Sequence, residues 1–247
     1  MEKQEYFKHY TLEQEHWWFA GRREIILGAL RSLELQPARA LLLDVGCGTG
    51  LNLKILKNFG EAYGFDLQPE AIDFCRQRGL RQIVRADAQN IPFRDGLFDV
   101  VLFLDVLYHR NIASDLAALR DAHRVLKKGG RVLLTDSAFR FLWSRHDLAV
   151  HARERYTRRR LKERLERAGF QVTEAGYFQF FLFPPLVMSR LWHRLKREKA
   201  PAPVSDLRPL TGALNSALFF IFRAEAFLLR HIRFPFGSSL LCVARKI

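Results

Sequence analysis

The sequence predicts a doubly wound α/β fold, in which helices cover both faces of a largely parallel β-sheet. Between residues 40 and 136, five short, continuously apolar segments alternate with segments of helical periodicity. Apolar segments without alternation are typical of strands that are buried on both faces. Each of these segments also ends at or beside an aspartate. Because ligands of such sheets bind at the carboxyl ends of the strands, the aspartates indicate a candidate site.

The predicted elements follow one another in a regular order. A helix is expected over residues 12–33, where large apolar side chains such as Trp17 and Trp18 need cover. Six strands are then expected, over residues 40–45, 62–65, 82–86, 98–104, 130–135 and 170–177. The helices between them are expected over residues 51–59, 69–78, 114–126 and 157–168. Pro69 suits the first turn of its helix, and Gly169 follows the last of these helices.

Beyond residue 177 this alternation stops. The next segments are a stretch broken by Pro184-Pro185, a basic stretch, a proline-containing linker and an apolar helix, over residues 178–188, 189–199, 200–209 and 211–230. Residues 239–245 then have the pattern of a final strand.

Positive charge is concentrated in the C-terminal part of the chain. The formal net charge is +14, and residues 140–247 hold 21 lysines and arginines against 8 aspartates and glutamates. Such a surface suits an anionic partner, which could be a membrane or a nucleic acid.

The cysteines and the hydropathy pattern indicate the compartment. Cys47, Cys75 and Cys242 lack the paired spacing of a zinc site and cannot form a disulfide framework, so they suit a reducing cytosol. The N-terminus is too polar for a signal peptide, and no apolar run reaches the roughly 18 residues that a membrane span needs. We therefore expect a cytoplasmic protein, soluble or peripheral on the inner face of the membrane.

A glycine-rich loop follows the first strand. Residues 41–50 have the sequence LLLDVGCGTG, and such glycines let the backbone approach a ligand closely while its N–H groups bind. Since position 51 is leucine, the spacing is GxGxG, which differs from the GxGxxG of dinucleotide-binding proteins. No GK[ST] follows, so a P-loop is excluded as well.

Four ordered motifs resemble those of the class I S-adenosylmethionine-dependent methyltransferases, and most closely the small-molecule, type 11 group. They are DVGCGTG at residues 44–50, FDLQPEAI at 65–72, ADAQNIPF at 86–93 and FDVVLFLDVLYHR at 98–110. The resemblance covers residues 40–136. It implies a Rossmann-like sheet of seven strands, six parallel and the C-terminal one antiparallel, with S-adenosylmethionine as cofactor. Methyl transfer needs no metal, and none is expected.

The resemblance implies that five residues of the first motif hold the methionine part of the cofactor: Asp44, Gly46, Cys47, Gly48 and Gly50. The glycines would shape the loop. The aspartate would orient it, with the cofactor's ammonium group as its target, reached directly or through water.

Five further residues are implied to contact the rest of the cofactor. Asp66 would accept hydrogen bonds from both ribose hydroxyls, and Leu67 would pack on the adenine. Asp87 and Ala88 would meet the adenine amino group and ring edge, and Asp105 would lie beneath the methionine moiety or the transferring methyl group.

Tyr108 and His109 directly follow the fourth strand and would face the acceptor. His109 is therefore the first candidate for a general base, with a polar residue that moves no proton as the alternative. The amine-directed members of the family have a [DN]PP[YF] signature here. This sequence has LDVLYH instead, which argues against that class.

Two further clusters suggest contacts with the acceptor. Trp17, Trp18 and Arg22 could form a lid over the cofactor and acceptor, or the tryptophans could simply pack on the sheet. The loop that contains His146, His151 and Tyr156 resembles the HD…H…RYT segment of type 11 proteins and is expected to line the acceptor pocket. A metal site at His146, Asp147 and His151 is the less favoured interpretation.

These observations divide the 247 residues into four parts: an N-terminal helical lid (1–39), the cofactor-binding core (40–177), a basic and aromatic helical insertion (178–237) and the final strand (238–247). The family's last strand normally returns through a short hairpin, so this insertion should have a function. We expect it to cap the substrate and to dock on an anionic membrane surface, with packing on the sheet or on a second copy as the alternative. The predicted activity is methyl transfer to an apolar or lipid-linked small molecule. The alternatives are an RNA methyltransferase and a non-catalytic cofactor-binding regulator.

Overall fold

A seven-stranded β-sheet forms the centre of the protein, in a computed structural model that describes residues 3–195 and 205–247. The strands are β1 (Leu41–Val45), β2 (Glu61–Asp66), β3 (Ile83–Arg85), β4 (Phe98–Leu104), β5 (Leu126–Ser137), β6 (Phe170–Phe178) and β7 (Ser239–Lys246). The helices are α1 (Lys3–Leu12), α2 (Trp17–Arg31), α3 (Leu51–Leu56), α4 (Pro69–Gln77), α5 (Asp115–Val125), α6 (Arg145–Ala149), α7 (Arg158–Arg167), α8 (Phe183–Leu195) and α9 (Gly212–Leu228).

The strand order is β3-β2-β1-β4-β5-β7-β6. Neighbours from β3 to β5 pair in parallel, whereas β7 lies antiparallel between β5 and β6. The predicted fold, with six parallel strands and an antiparallel C-terminal strand, is confirmed. The chain reverses its direction of travel across the sheet between β1 and β4, whose residues Asp44 and Leu102 lie in register. Ligands of doubly wound sheets bind at such a point.

Alternate residues of the buried strands enter two hydrophobic cores, one on each face of the sheet. Leu43 and Val101 point into a core that α5 and α7 complete. Leu42 and Leu102 point into the other core, which receives side chains from α2, α3 and α9. Burial on both faces explains why these strands are apolar throughout.

The local structure differs from the predictions at three places. The helix expected over residues 12–33 starts only at Trp17, as α2, because the His16 side chain caps it by accepting a hydrogen bond from the Trp18 N–H, and the separate helix α1 that precedes it was not predicted. Pro184 and Pro185 do not break a helix but lie in the first turn of α8, where a proline's missing N–H costs nothing. α6 forms where a loop was expected, and a capping box starts it. Residues 196–204 of the basic stretch and linker lie outside the described residues.

The insertion and the N-terminal region form one connected layer. The Asn215 side chain of α9 accepts a hydrogen bond from Trp17 N and donates one to Glu15 O, both at 2.9 Å, which caps the start of α2. Glu225, which is buried, accepts hydrogen bonds from the N–H groups of Phe180 and Phe181 and so fixes the turn between β6 and α8. Among the described residues, no helix has the length and apolar character to span a membrane.

Candidate functional site

A cavity of about 550 Å³ lies at the carboxyl ends of the strands, next to the point where the strand order reverses. Its floor is the loop after β1 together with the residues that follow β2 and β4. Residues of α1 and α2 form one wall, and residues of α8, α9 and the segment before α9 form the cover. Its volume is that of a typical small-molecule site.

The glycine loop leaves open space at its centre. Gly46 has a φ of 67°, and a β-carbon there would lie 2.8 Å from Val106 Cγ2. Gly48 has a φ of 55° and lines the cavity, yet no atom lies within 4 Å of the position its β-carbon would take. The loop therefore presents bare backbone to the cavity, as a cradle for a ligand requires. Gly50 is not among the lining residues.

Asp66 holds this loop in place. Its Oδ2 accepts a hydrogen bond from Gly48 N at 3.0 Å, and its Oδ1 accepts one from Gln68 N at 2.9 Å. Burial raises the pKa of Asp66, while these two hydrogen bonds oppose that shift. The side chain thus joins the loop after β1 to the end of β2, a structural role that the sequence motifs did not reveal.

Asp44 is a buried carboxylate beneath the glycine loop. Its side chain is not among those that line the cavity, and only 1% of the residue is exposed. Its Oδ1 has no hydrogen-bond partner among the described residues. Burial raises the pKa of Asp44 to about 7. Since an unpartnered buried oxygen is costly, this group is suited to a donor or cation that enters the site.

Arg22 of α2 places a positive charge at the end of β4. Its Nη1 lies 2.5 Å from Asp105 Oδ2, and Asp105 has a φ of 62°. The guanidinium also lies 5.1 Å from the centre of the Trp18 ring. Trp17, Trp18 and Arg22, which were predicted to form a lid, all line the cavity, and the Arg22–Asp105 ion pair was not predicted.

A second ion pair attaches the N-terminal region to the core. Glu13, between α1 and α2, lies 2.5 Å from Arg78 Nη2 and accepts a hydrogen bond from the Thr49 hydroxyl in the glycine loop. Burial raises the pKa of Glu13, and both partners oppose the shift. No sequence signal pointed to Glu13, because the division between α1 and α2 was not predicted.

The remaining residues predicted to bind the cofactor lie together. Cys47, Leu67, Asp87 and Ala88 line the cavity. Asp87 Oδ1 accepts a hydrogen bond from the backbone N–H two residues later, at 2.9 Å, which forms a tight turn at this wall. A hydrogen bond to Cys75 and burial hold the pKa of the Cys47 thiol above its usual range.

His109 and Tyr108 line the cavity beside the end of β4. Burial lowers the pKa of His109 to about 3, and the nearby His151 and Arg110 act in the same direction. His109 Nδ1 accepts a hydrogen bond from Asn111 N at 3.2 Å. The neutral ring therefore carries its proton on Nε2, which can donate a hydrogen bond.

Of the three residues predicted in the acceptor loop, His146 lines the cavity, and Val150 and Arg155 of the same loop line it as well. Tyr156 is fully buried and donates a hydrogen bond from its hydroxyl to Leu107 O, and His151 is not among the lining residues. His146 Nδ1 accepts a hydrogen bond from Asp206 N, and Arg155 binds both oxygens of Asp147. Across residues 3–195 and 205–247, no cluster of three potential metal ligands occurs.

The cover of the cavity is mainly aliphatic. Residues of the insertion contribute six leucines to the lining: Leu182, Leu186, Leu207, Leu210, Leu214 and Leu218. Arg190 and Arg208 lie among them. The residues opposite the glycine loop thus form an apolar surface with a few charged groups.

Comparisons with known proteins agree with this geometry. Residues 43–134 match the family model of a methyltransferase domain. The chain is 37% identical over 101 residues to a tRNA (carboxymethyluridine(34)-5-O)-methyltransferase of Xenopus tropicalis. The matched segment covers 40% of this chain and 15% of that protein. It is 32% identical over 133 residues to the ubiquinone biosynthesis O-methyltransferase of Xanthomonas oryzae, which covers 48% of this chain and 55% of that protein.

The fold is also found among solved structures. A SAM-dependent methyltransferase from Thermotoga maritima superposes on the whole of this chain with a TM-score of 0.58 and 19% identity, over 100% of both chains. The chain therefore spans the length of a structural neighbour, but at most about half of the two curated relatives.

Proposed function

Because this chain is a class I S-adenosylmethionine-dependent methyltransferase with S-adenosylmethionine as its cofactor, we propose that it methylates an apolar or lipid-linked small molecule enclosed under α8 and α9. The observation that carries the proposal is the group of six leucines on the cover of the cavity. An enclosed apolar chamber favours a small hydrophobic acceptor, since transfer of apolar surface out of water is favourable.

The residues around the glycine loop fit this cofactor. Bound in the cavity, S-adenosylmethionine supplies a methyl group activated by its sulfonium. The open backbone at Gly48 leaves room for the methionine part, with Gly46, Cys47 and Gly50 shaping the loop. The unpartnered Asp44 oxygen suits the ammonium group, directly or through water.

The other carboxylates are proposed to hold the nucleoside. Asp66 would accept the ribose hydroxyls, Leu67 would cover the adenine, and Asp87 and Ala88 would meet its edge. Asp105, paired with Arg22, would lie by the methionine moiety or the transferring methyl group. These side chains orient the cofactor, while the tryptophans of α2 and the leucines of the insertion exclude water.

His109 is proposed to orient the acceptor. The bond from Asn111 N occupies Nδ1, so the Nε2–H would donate to an acceptor oxygen and would not take its proton. The alternative role of general base requires His109 to give up that bond. Tyr108 and His146 would line the acceptor beside it.

Exposed apolar side chains support docking on the cytoplasmic face of a membrane. Along α8, residues three or four apart are largely exposed: Met188 (70%), Leu191 (51%), Trp192 (60%) and Leu195 (81%). On α9, Phe220 and Phe227 are exposed at 71% and 59%. Arg223 lies between them, and Arg230 follows the end of the helix. Apolar and basic side chains on the same helices fit an interface with anionic lipid, from which a lipid-linked acceptor would enter the cavity.

RNA is the second candidate acceptor. The excess of basic residues after position 140 and the similarity to a tRNA methyltransferase favour it. The aliphatic cover of the cavity and the exposed apolar side chains favour the small molecule, because a base would be expected to stack on aromatic or arginine side chains.

The test is incubation of the protein with methyl-labelled cofactor and a fractionated cell extract. We expect label in the lipid fraction. Leu186→Asp, inside the cavity, should abolish the labelling, whereas Leu191→Asp on the exposed side of the same helix should retain it in detergent. Label in the RNA fraction would contradict the proposal and support RNA as the acceptor. Cofactor binding without label in any fraction would indicate a non-catalytic regulator.

A further inference from the structure

The charges on the cavity walls are divided between its two halves. The cofactor half carries the acidic side chains Glu13, Asp66, Asp87 and Asp105. The two arginines that line this half already have partners, since Arg22 pairs with Asp105 and Arg23 donates to backbone oxygens. Basic side chains line the half that faces the insertion, namely Arg155, Arg190 and Arg208, against the single lining acid Asp206. A cationic cofactor suits the first half, and an anionic group suits the second.

Arg190 is the best placed of these basic residues. It lies on α8, its side chain is only 15% exposed, and its Nε is buried with no hydrogen-bond partner among the described residues. Its Nη2 pairs with Asp206, whose side chain is 53% exposed. A buried guanidinium donor without an acceptor is costly, so the site favours a ligand that supplies one.

The charge of Arg155 is already neutralised by a buried ion pair with Asp147. Its Nε and Nη2 bind the two oxygens of Asp147 at 2.7 and 3.0 Å, and both side chains are almost fully buried. Asp206 differs, because its backbone N–H is held by His146 while its carboxylate is largely in solvent. The Asp206 carboxylate can therefore leave Arg190 without disturbing the backbone of its own segment.

The apolar lining continues from this charged end of the cavity. Leu186 lies one helical turn before Arg190 on α8, and Leu210 lies two residues after Arg208. Both leucines line the cavity. An amphipathic molecule could place its anionic group on the arginines and its hydrocarbon part along the leucines.

We infer that Arg190 and Arg208 form a subsite for an anionic group, a carboxylate or a phosphate, of the apolar acceptor, with Asp206 as the occupant that this group displaces. The inference rests on the proposed function, because that function identifies the bound molecule as the acceptor. The subsite would also set the depth to which the molecule enters, and so select which of its atoms reaches the methyl group.

Calorimetry with eight-carbon probes tests the subsite without any turnover. The full chain, saturated with S-adenosylhomocysteine, is titrated with octanoate, octyl phosphate and octanol. The two anions should bind at least tenfold more tightly than the alcohol, since a charge-assisted hydrogen bond to a buried guanidinium is among the strongest. Their relative affinities tell a carboxylate site from a phosphate site.

Two substitutions should act in opposite directions. Arg190→Gln should weaken octanoate or octyl phosphate about tenfold and leave octanol unchanged, whereas Asp206→Asn should strengthen the anions because it removes the competing carboxylate. Arg167→Gln, on an exposed residue outside the cavity, is the matched control. Affinity for S-adenosylhomocysteine verifies that each variant is folded.

The inference is overturned if octanol binds as tightly as octanoate, if no probe binds, or if Arg190→Gln weakens all probes equally. Failure of the proposed function gives a different result. In that case the anions bind in an Arg190-dependent way, while no lipid fraction accepts label.

Discussion

The ring of Phe222 in α9 occupies the space that a side chain at Gly21 of α2 would need. A β-carbon on Gly21 would lie 1.8 Å from Phe222 Cδ1, and Phe222 is fully buried. The insertion and the N-terminal helix therefore meet at a point where only glycine fits. This contact connects the cover of the cavity to its wall.

Gly21→Ala is expected to destabilise the protein by about 1–3 kcal/mol, the usual cost of overpacking, despite the better helix propensity of alanine. Gly28 provides the control in the same helix, because no atom lies within 4 Å of its β-carbon position. Gly28→Ala should be neutral or stabilise by up to about 1 kcal/mol. Urea unfolding of both variants checks the difference in sign. Equal effects would show that Phe222 does not press on α2.

Asp66→Ala is expected to lower the affinity for the cofactor about 10- to 100-fold, or roughly 1.5–3 kcal/mol. The structure adds a second reason to the loss of ribose contacts, since the variant also frees the N–H of Gly48. Asp73→Ala, on an exposed residue of the neighbouring helix, is the control. Calorimetry on the folded proteins measures both. Unchanged affinity in Asp66→Ala would refute the assignment.

Asp44 should make the unliganded protein less stable as the pH rises. Its folded pKa is about 7, well above the ordinary aspartate value of 3.8. Between these values the folded state holds a proton that the unfolded state has lost, so the free energy of unfolding falls from about pH 4 to pH 7 and stays low above that. Asp44→Asn removes this dependence.

The Asp44→Asn variant should thus match the wild type near pH 4 and exceed it in stability at pH 8, by an amount of order 3–4 kcal/mol. The same substitution should weaken cofactor binding. Urea titrations at several pH values give the difference curve between the two proteins. A curve that is flat from pH 4 to 8 would mean that Asp44 is ionised in the unliganded fold.

Substitutions at His109 distinguish between its two proposed roles. If its Nε2–H orients the acceptor, His109→Gln, which can still donate, should keep most of the transfer rate, and His109→Leu should lose about tenfold. A general base would make both variants lose 10²- to 10⁴-fold. Because burial holds the pKa of His109 near 3, the ring itself should cause no change in rate between pH 5 and 8. His231→Gln is the surface control.

Flotation with vesicles tests the membrane surface. Wild type should rise with vesicles of phosphatidylcholine and phosphatidylglycerol, and the pair Arg223→Glu and Arg230→Glu should weaken this at least 30-fold, at about 1 kcal/mol for each basic residue lost. The same charge change at the exposed Arg120 and Arg167 should have little effect. Arg190 is unsuitable for this test, because it lines the cavity. Wild type that stays at the bottom at low salt would show the membrane proposal to be wrong.

The sheet and the glycine loop could be predicted because they depend on local patterns. Continuous apolar runs located the central strands, and β4 was predicted to the residue. The contacts across the cavity could not be predicted this way. Arg22 meets Asp105 and Glu13 meets Arg78 only because α1 and α2 fold back over the loop, and one sequence carries no signal for such distant pairs.

The position of β7 has a consequence for how the protein is made. β6 has β7 as its partner in the sheet, with Phe178 opposite Ser239, and residues 179–238 are synthesised between them. During translation, β6 therefore cannot pair with β7 until the whole insertion and β7 itself have left the ribosome. The entropy cost of closing this loop grows only slowly with its length, so the delay costs time more than stability. Each chain that completes its sheet has, by then, already produced the cover of its own cavity.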